Sequence, residues 1–92
     1  LVMGTRSGDL DPAVPAYLVR EHGWSLPDVD RALNRSSGLE GLVGDNDVRE
    51  LVRLRAGGDE AARLAFDVYV HRIRKYVGAY LAVLGGADAV VF

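Results

Sequence analysis

Hydrophobic residues repeat at intervals of three and four over three short segments, which predicts three amphipathic helices. These helices run from Asp11 to Gly23, from Ser25 up to the polar stretch 34–38, and from Asp47 to Gly57. Each begins with a side chain that can accept a hydrogen bond from a free N–H group of the first turn. The first and third end at glycine, which is common where a helix stops.

Residues 59–85 are predicted to form a fourth and much longer helix, which at ~1.5 Å per residue would span about 40 Å. Apolar residues cover most of its circumference, and its polar stripe is narrow. Because a helix of this kind is buried on most sides, the rest of a 92-residue chain is too small to cover it. We therefore expect packing neighbours in a further part of the chain or in a partner subunit.

The connection over residues 38–46 and the two ends of the chain have other patterns. Glycine is frequent in 38–46, which predicts an irregular segment. Leu1 to Met3 suggests the end of a strand, and the rising apolar run 87–92 predicts a buried strand of an α/β protein. The chain opens without Met and stops where a ligand-binding loop normally follows a strand. We expect both ends to be cuts through a longer protein.

Composition removes several classes of function. The chain has 11 basic and 13 acidic residues, so a nucleic-acid partner is not expected. It has no cysteine, which excludes a disulfide framework and a thiolate metal site. Charged residues interrupt the longest apolar stretch, and the first residues do not have the pattern of a signal peptide, so no membrane partner is expected.

The loop Gly4–Asp9 is the first candidate for chemistry, because glycines flank Arg6 on both sides. Glycine lets the backbone approach a ligand closely, and a guanidinium group presents a planar fork to carboxylate or phosphate oxygens. The alternative is a tight turn in which Arg6 pairs with Asp9 or Asp11. These two carboxylates could also bind a metal, but a capping or turn role is expected of them.

Five segments of the chain resemble acetate kinases and the related propionate kinases, in the order found in that family. The most specific is Met3-Gly4-Thr5-Arg6-Ser7-Gly8-Asp9-Leu10-Asp11-Pro12, and the others are residues 37–42, 47–49, 69–80 and 84–92. The resemblance implies an α/β fold of the acetate and sugar kinase, heat-shock and actin type. Residues 1–92 would be an incomplete part of its carboxyl-terminal nucleotide-binding domain, mostly helical with a terminal buried strand.

The activity implied by the resemblance is reversible transfer of the γ-phosphoryl group of ATP to acetate. The products would be acetyl phosphate and ADP, the reaction would require Mg²⁺, and the enzyme would be a cytoplasmic homodimer. These residues alone would be inactive, since most of the active site would lie outside them. The alternatives are propionate kinase activity and a segment that serves only structure and dimerisation.

The resemblance also implies the roles of four residues. Arg6 matches a catalytic arginine of the family, and Asp47, Val48 and Arg49 match a segment that contacts the nucleotide. No metal ligand is implied among these 92 residues. Two plainer interpretations stay open: Asp47 as a helix N-cap completed by Glu50, and Arg49 as a solvated charge on the helix.

Overall fold

A computed structural model describes all residues 1–92 as five α-helices joined by short connections. The helices are α1 (Ala13–His22), α2 (Leu26–Arg35), α3 (Gly38–Val43), α4 (Val48–Ala56) and α5 (Glu60–Leu84). Helix α5 packs against α4 and α3, and α1 packs against α2. The chain measures 49 × 37 × 17 Å. Since a helix with its side chains is ~10–12 Å across, this slab is too thin to enclose a large core.

The core is accordingly small and lies where α3, α4 and α5 meet. Its buried members are Leu39, Leu51, Ala62 and Ala65. Leu39 and Leu51 keep only 1% and 2% of their surface exposed. Further hydrophobic residues pack against this cluster, among them Val2 from the amino-terminal segment and Val48 from the start of α4. The core therefore ties the beginning of the chain to α4.

The predicted helix ends are confirmed by their hydrogen bonds. The side chain of Ser25 accepts from the N–H of Asp28, whose carboxylate accepts from the N–H of Ser25 in return. Asp11 accepts from the N–H of Ala13 at 2.8 Å, so it caps the start of α1. Gly23 and Gly85 end α1 and α5 in the left-handed conformation, which costs a residue without Cβ little.

Helix α3 departs from the irregular segment that the sequence predicted for residues 38–46. Two of its six residues are glycine, so its intrinsic helix propensity is low. Tertiary contacts stabilise this helix in spite of its low propensity. Leu39 is buried in the core, and the N–H groups of Leu39 and Glu40 donate to carbonyl groups of the Arg6 loop. Free N–H groups of a first turn need partners of this kind.

The predicted strands are absent, and the prediction of a terminal buried strand is wrong for this chain. Residues 87–92 are irregular, and Val91 and Phe92 are 91% and 103% exposed. Leu1–Met3 is not a strand either. A strand is held by hydrogen bonds to a neighbouring strand, and no other segment of these 92 residues provides one.

The second half of α5 leaves its apolar side chains without cover. Tyr80, Val83 and Leu84 are 62%, 83% and 70% exposed. This exposure agrees with the expectation that the long helix needs neighbours beyond the 92 residues. No helix combines the length and the apolar character needed to cross a membrane.

Candidate functional site

The loop that carries Arg6 is held in place by backbone hydrogen bonds to the end of α2 and the start of α3. The carbonyl groups of Met3, Gly4 and Thr5 accept from the N–H groups of Leu39, Glu40 and Ser37 at 2.8, 2.8 and 2.9 Å. The N–H of Ser7 donates to the carbonyl of Leu33 at 2.8 Å. Backbone bonds lie on both sides of Arg6, so the path of the chain at this residue is well defined.

Gly38 makes this docking possible because it leaves room for the loop. A Cβ atom at Gly38 would lie 2.1 Å from the carbonyl oxygen of Met3 and 2.9 Å from that of Arg6. Both atoms belong to the backbone, so neither can move by rotating a side chain. Gly38 also has φ +60°, which side chains rarely tolerate. This position therefore requires glycine for two independent reasons.

The side chain of Arg6 is exposed and forms no hydrogen bond or ion pair within the chain. The two carboxylates that could have paired with it are engaged elsewhere. Asp11 caps α1, and Asp9 bonds to Tyr76 and Arg72 of α5. The alternative of a turn closed by an Arg6–Asp9 or Arg6–Asp11 pair is thus not seen, and the guanidinium group is free to bind an anion.

Asp9 joins the end of the loop to the long helix. The hydroxyl of Tyr76 lies 2.8 and 2.7 Å from its two carboxylate oxygens, and Nη2 of Arg72 lies 2.9 Å from one of them. The Tyr76 hydrogen bond, helped by the charges of the Leu1 amino group and of Arg72, lowers the pKa of the Asp9 carboxyl below its usual value. The same bond raises the pKa of Tyr76. Asp9 is therefore ionised, and Tyr76 is a neutral donor, around neutral pH.

The start of α4 lies beside this loop. A Cβ atom at Gly4 would be 3.3 Å from Cβ of Asn46, so the two segments are in close contact. Asp47 follows Asn46 and caps α4 by accepting from the N–H of Arg49 at 2.8 Å. The fold therefore brings Arg6 and the predicted nucleotide segment into one neighbourhood.

Asp47, Val48 and Arg49 occupy different environments at this helix start. The guanidinium of Arg49 is 92% exposed and bonds to the Asp47 carboxylate at 2.6 Å, so its orientation is restrained although its surface is open. The side chain of Val48 packs against the core, so a ligand contact from this residue would come from its backbone. Asp47 is an N-cap, as the plainer interpretation expected, and it also tethers Arg49. The expected completion of the cap by Glu50 is wrong, because Glu50 pairs with Arg53 and the N–H of Asp47 donates to Asp45.

The Asp47–Arg49 contact predicts an unusual titration. Hydrogen bonds from the side chain and backbone of Arg49 lower the pKa of Asp47 from 3.8 to about 2. Since the folded-state pKa lies below the unfolded one, the contribution of this group to stability is complete above about pH 5 and is lost as the pH falls towards 2. We expect the Asp47 carboxyl carbon in the full-length enzyme to show an ionised NMR shift at pH 4, where an ordinary aspartate is about 40% protonated.

The matched control for this titration is Arg49→Ala, which removes the side-chain donor and leaves the capping N–H. In that variant the Asp47 signal should begin to move at a higher pH than in the unchanged enzyme. Identical titrations in the two proteins would contradict the assigned cause of the shift.

No group of three or more His, Asp or Glu side chains in the chain is arranged to hold a metal ion. The chain therefore offers no ready-made cluster of this kind for the Mg²⁺ that the family resemblance implies. The site consists instead of a fixed cationic loop beside a helix start, an arrangement suited to binding an anion.

Two contacts that shape this site were not found from the sequence. The bonds from Tyr76 and Arg72 to Asp9 join residues 67 and 63 positions apart, and no local pattern indicates such pairs. The close approach at Gly38 was missed as well. Its one local signal is a glycine in a run of small residues, Ser36-Ser37-Gly38, directly after a predicted helix.

The solved structures that this chain resembles form one class, kinases named for acetate or propionate. A propionate kinase from Francisella tularensis matches 90% of this chain and 22% of its own, with a TM-score of 0.85 and 46% identity. Porphyromonas gingivalis acetate kinase matches 96% of this chain and 22% of its own, with a TM-score of 0.85 and 44% identity.

The family model described as the acetokinase family matches residues 1–92, and the chain belongs to that family. Among curated relatives, it is 62% identical to the acetate kinase of Streptomyces avermitilis and 53% identical to that of Corynebacterium jeikeium, over all 92 residues in each case. The chain spans 23% of the length of each of these relatives.

Proposed function

We propose that the chain is part of an acetate kinase, which transfers the γ-phosphoryl group of ATP reversibly to acetate. Membership of the acetokinase family supports this proposal. The observation that carries it is the free guanidinium group of Arg6, exposed on a loop that backbone bonds fix next to the start of α4. Residues outside this chain would complete the active site, so these 92 residues alone are expected to be inactive.

In the proposed reaction, Arg6 binds anionic oxygens while the phosphoryl group moves. Acetate and the ATP phosphates are both negative and repel each other, so a fixed cation between them favours their approach. Charge spreads over the equatorial oxygens of the phosphoryl group as it transfers, and a preorganised guanidinium stabilises that charge. Because the Arg6 loop is already bonded to residues 33–40, little reorganisation is needed during the reaction.

ATP supplies the phosphoryl group, and the start of α4 is proposed to bind its nucleoside part. Asp47 holds the guanidinium of Arg49 in an open position from which it could stack on or hydrogen-bond the adenosine. Mg²⁺ is part of the proposed reaction, and residues outside these 92 are proposed to position it.

Arg49→Ala in the full-length enzyme is expected to raise the KM for ATP about tenfold, the effect of losing one hydrogen bond to a charged group. Arg53→Ala is the matched control, because Arg53 lies one turn further along α4 and pairs with Glu50 as Arg49 pairs with Asp47. Steady-state kinetics with ATP varied would measure both. An unchanged KM in the Arg49 variant, or equal increases in the two, would count against nucleotide binding by Arg49.

Propionate is the second candidate substrate, because a propionate kinase is among the solved structures that match the chain. The test is an acetyl-phosphate assay on the full-length enzyme with acetate and propionate compared at equal concentrations. The proposal expects a higher kcat/KM for acetate. A higher value for propionate would reverse the assignment. If neither acid gave an ATP-dependent acyl phosphate, the proposal would be refuted.

The domain, the localisation and the oligomeric state of the enzyme are proposals as well. Residues 1–92 would belong to the carboxyl-terminal nucleotide-binding domain of an actin-like ATPase fold. The enzyme would be a cytoplasmic homodimer, which the uncovered apolar side chains near the end of α5 support. Light scattering on the full-length enzyme would measure the mass, and a monomer at micromolar concentration would exclude the dimer.

A further inference from the structure

We infer that Tyr76 and Arg72 of α5 are positioning residues for Arg6 and that they act through Asp9. This inference rests on the proposed role of Arg6 in phosphoryl transfer. The proposed reaction does not by itself require a contribution from α5. The inference adds one: through Asp9, the long helix would fix the position of the Arg6 guanidinium. Neither Tyr76 nor Arg72 would touch a substrate.

The contacts at Asp9 form a tight and charged anchor. Both carboxylate oxygens receive the Tyr76 hydroxyl, at 2.8 and 2.7 Å, and one of them also receives Arg72 at 2.9 Å. Hydrogen bonds that involve an ionised group are stronger than neutral ones. Arg72 is itself partly buried, with 29% of its side chain exposed, which restrains its guanidinium. The amino group of Leu1 lies farther away, 3.5 Å from the same oxygen, and has no part in the inference.

The loop needs this anchor because its backbone bonds end before Asp9. The last loop N–H with a backbone partner is that of Ser7, which donates to the carbonyl of Leu33 in α2. Gly8 follows with φ +69°, a conformation that glycine adopts easily, and its backbone lies against that of Leu1. Beyond this glycine, the side chain of Asp9 joins the loop to α5 before the chain enters α1. Arg6 lies between the backbone hydrogen bonds of the loop and the side chain of Asp9, and both restrain its position.

Tyr76→Phe is the sharpest variant, because it deletes the hydroxyl and keeps the ring and its packing. In the full-length enzyme it should lower kcat about tenfold while the KM for ATP and the melting temperature change little. A displacement of about 1 Å can lower a rate roughly 10²-fold, and the tenfold fall in kcat corresponds to a smaller displacement of Arg6. Tyr80→Phe is the matched control, since Tyr80 lies one turn further along α5, its ring is 6.3 Å from that of Tyr76, and its hydroxyl does not reach Asp9. It should leave kcat unchanged.

The decisive measurement combines Tyr76→Phe with Arg6→Ala. If Tyr76 acts by positioning Arg6, its removal should change kcat less than twofold once Arg6 is absent. A similar tenfold loss in both backgrounds would show an independent role and overturn the inference. So would an unchanged kcat in the single variant. Asp9→Asn, which keeps the shape and removes the charge, should repeat the Tyr76→Phe pattern.

Failure of the inference is distinguishable from failure of the proposed function. If Arg6→Ala keeps near-normal turnover, the role of Arg6 is wrong and the inference falls with it. If Arg6→Ala is strongly impaired but Tyr76→Phe is not, the function stands and only the positioning role is lost. Should the Arg6→Ala rate lie below detection, Arg6→Lys serves as the background for the same comparison.

Discussion

Replacing Arg6 with alanine in the full-length enzyme is expected to lower the turnover of acetyl phosphate formation by about 10²-fold or more, as the loss of other preorganised donors does. The side chain has no partner within the chain, so its removal breaks no hydrogen bond or ion pair of the fold. Its role would be to stabilise charge that develops in the transition state, so kcat should fall more than the KM for either substrate rises.

Two further variants separate this role from general effects of charge. Arg6→Lys keeps the positive charge but loses the planar fork, so it should recover only part of the lost rate. Arg35→Ala removes another exposed arginine that forms no ion pair in the chain, and it should leave turnover unchanged. Initial rates of ADP formation from ATP and acetate would measure all three. Near-normal turnover of Arg6→Ala would refute the catalytic assignment.

Gly38→Ala is expected to have the second largest effect, although Gly38 would touch no substrate. The new Cβ would lie 2.1 Å from the carbonyl oxygen of Met3, where ordinary contact begins at 3.4 Å. The loop or the start of α3 must therefore shift by about an ångström, and a shift of that size near the reacting groups can cost roughly 10²-fold in rate. The backbone bonds from Ser37, Leu39 and Glu40 to the loop would weaken with it.

Gly44→Ala is the control that isolates the effect of crowding. Gly44 lies at the other end of α3 with φ +74°, but nothing lies within 4 Å of a Cβ atom there. Alanine at Gly44 should cost only the left-handed conformation, about 1–2 kcal/mol, and should leave kcat nearly unchanged. Thermal unfolding together with kcat would be measured for both. Equal effects of the two substitutions would mean that contact between Gly38 and the Arg6 loop is not what matters.

The four longer helices were predictable because their signals are local. Capping side chains such as Ser25 and Asp47, and closing glycines such as Gly23, act within one turn of the helix that they start or stop. The period of hydrophobic residues marks the helix between these ends. Helix α3 could not be found in this way. Its first-turn N–H groups are satisfied by a loop more than thirty residues earlier in the chain, and its glycines argue against helix locally.

The terminal strand was mispredicted for a related reason. The run Ala87–Phe92 has the composition of a buried strand, but composition indicates only what a segment can do when a neighbour is present. Without another strand its backbone groups have no ladder to join, and Phe92 stays exposed. Pairing between strands is a property of the surrounding structure, whereas a helix satisfies most of its backbone groups internally.

For the candidate site as well, the sequence predicted some features and could not predict others. Arg6 could be proposed from the sequence because glycines flank it and because ten consecutive residues around it resemble the family. The segment Asp47–Arg49 was proposed from a separate resemblance over those three residues. That Asp9 turns away from Arg6 could not be foreseen. Its two partners, Tyr76 and Arg72, lie on a helix more than sixty residues later, and several acceptors in the chain were equally plausible for them.

By itself, the sequence determined the ends of the four longer helices and the family, and it offered Arg6 and Arg49 as candidate charges of a site, since each depends on neighbours within a few positions or on direct similarity. The tertiary structure alone decided which charges remain free. Asp11 is used by α1 and Asp9 by α5, so Arg6 is left without a partner. The physical reason is competition: a carboxylate bonds to whichever donors the folded chain brings nearest, and distance in space is not readable from distance along the chain.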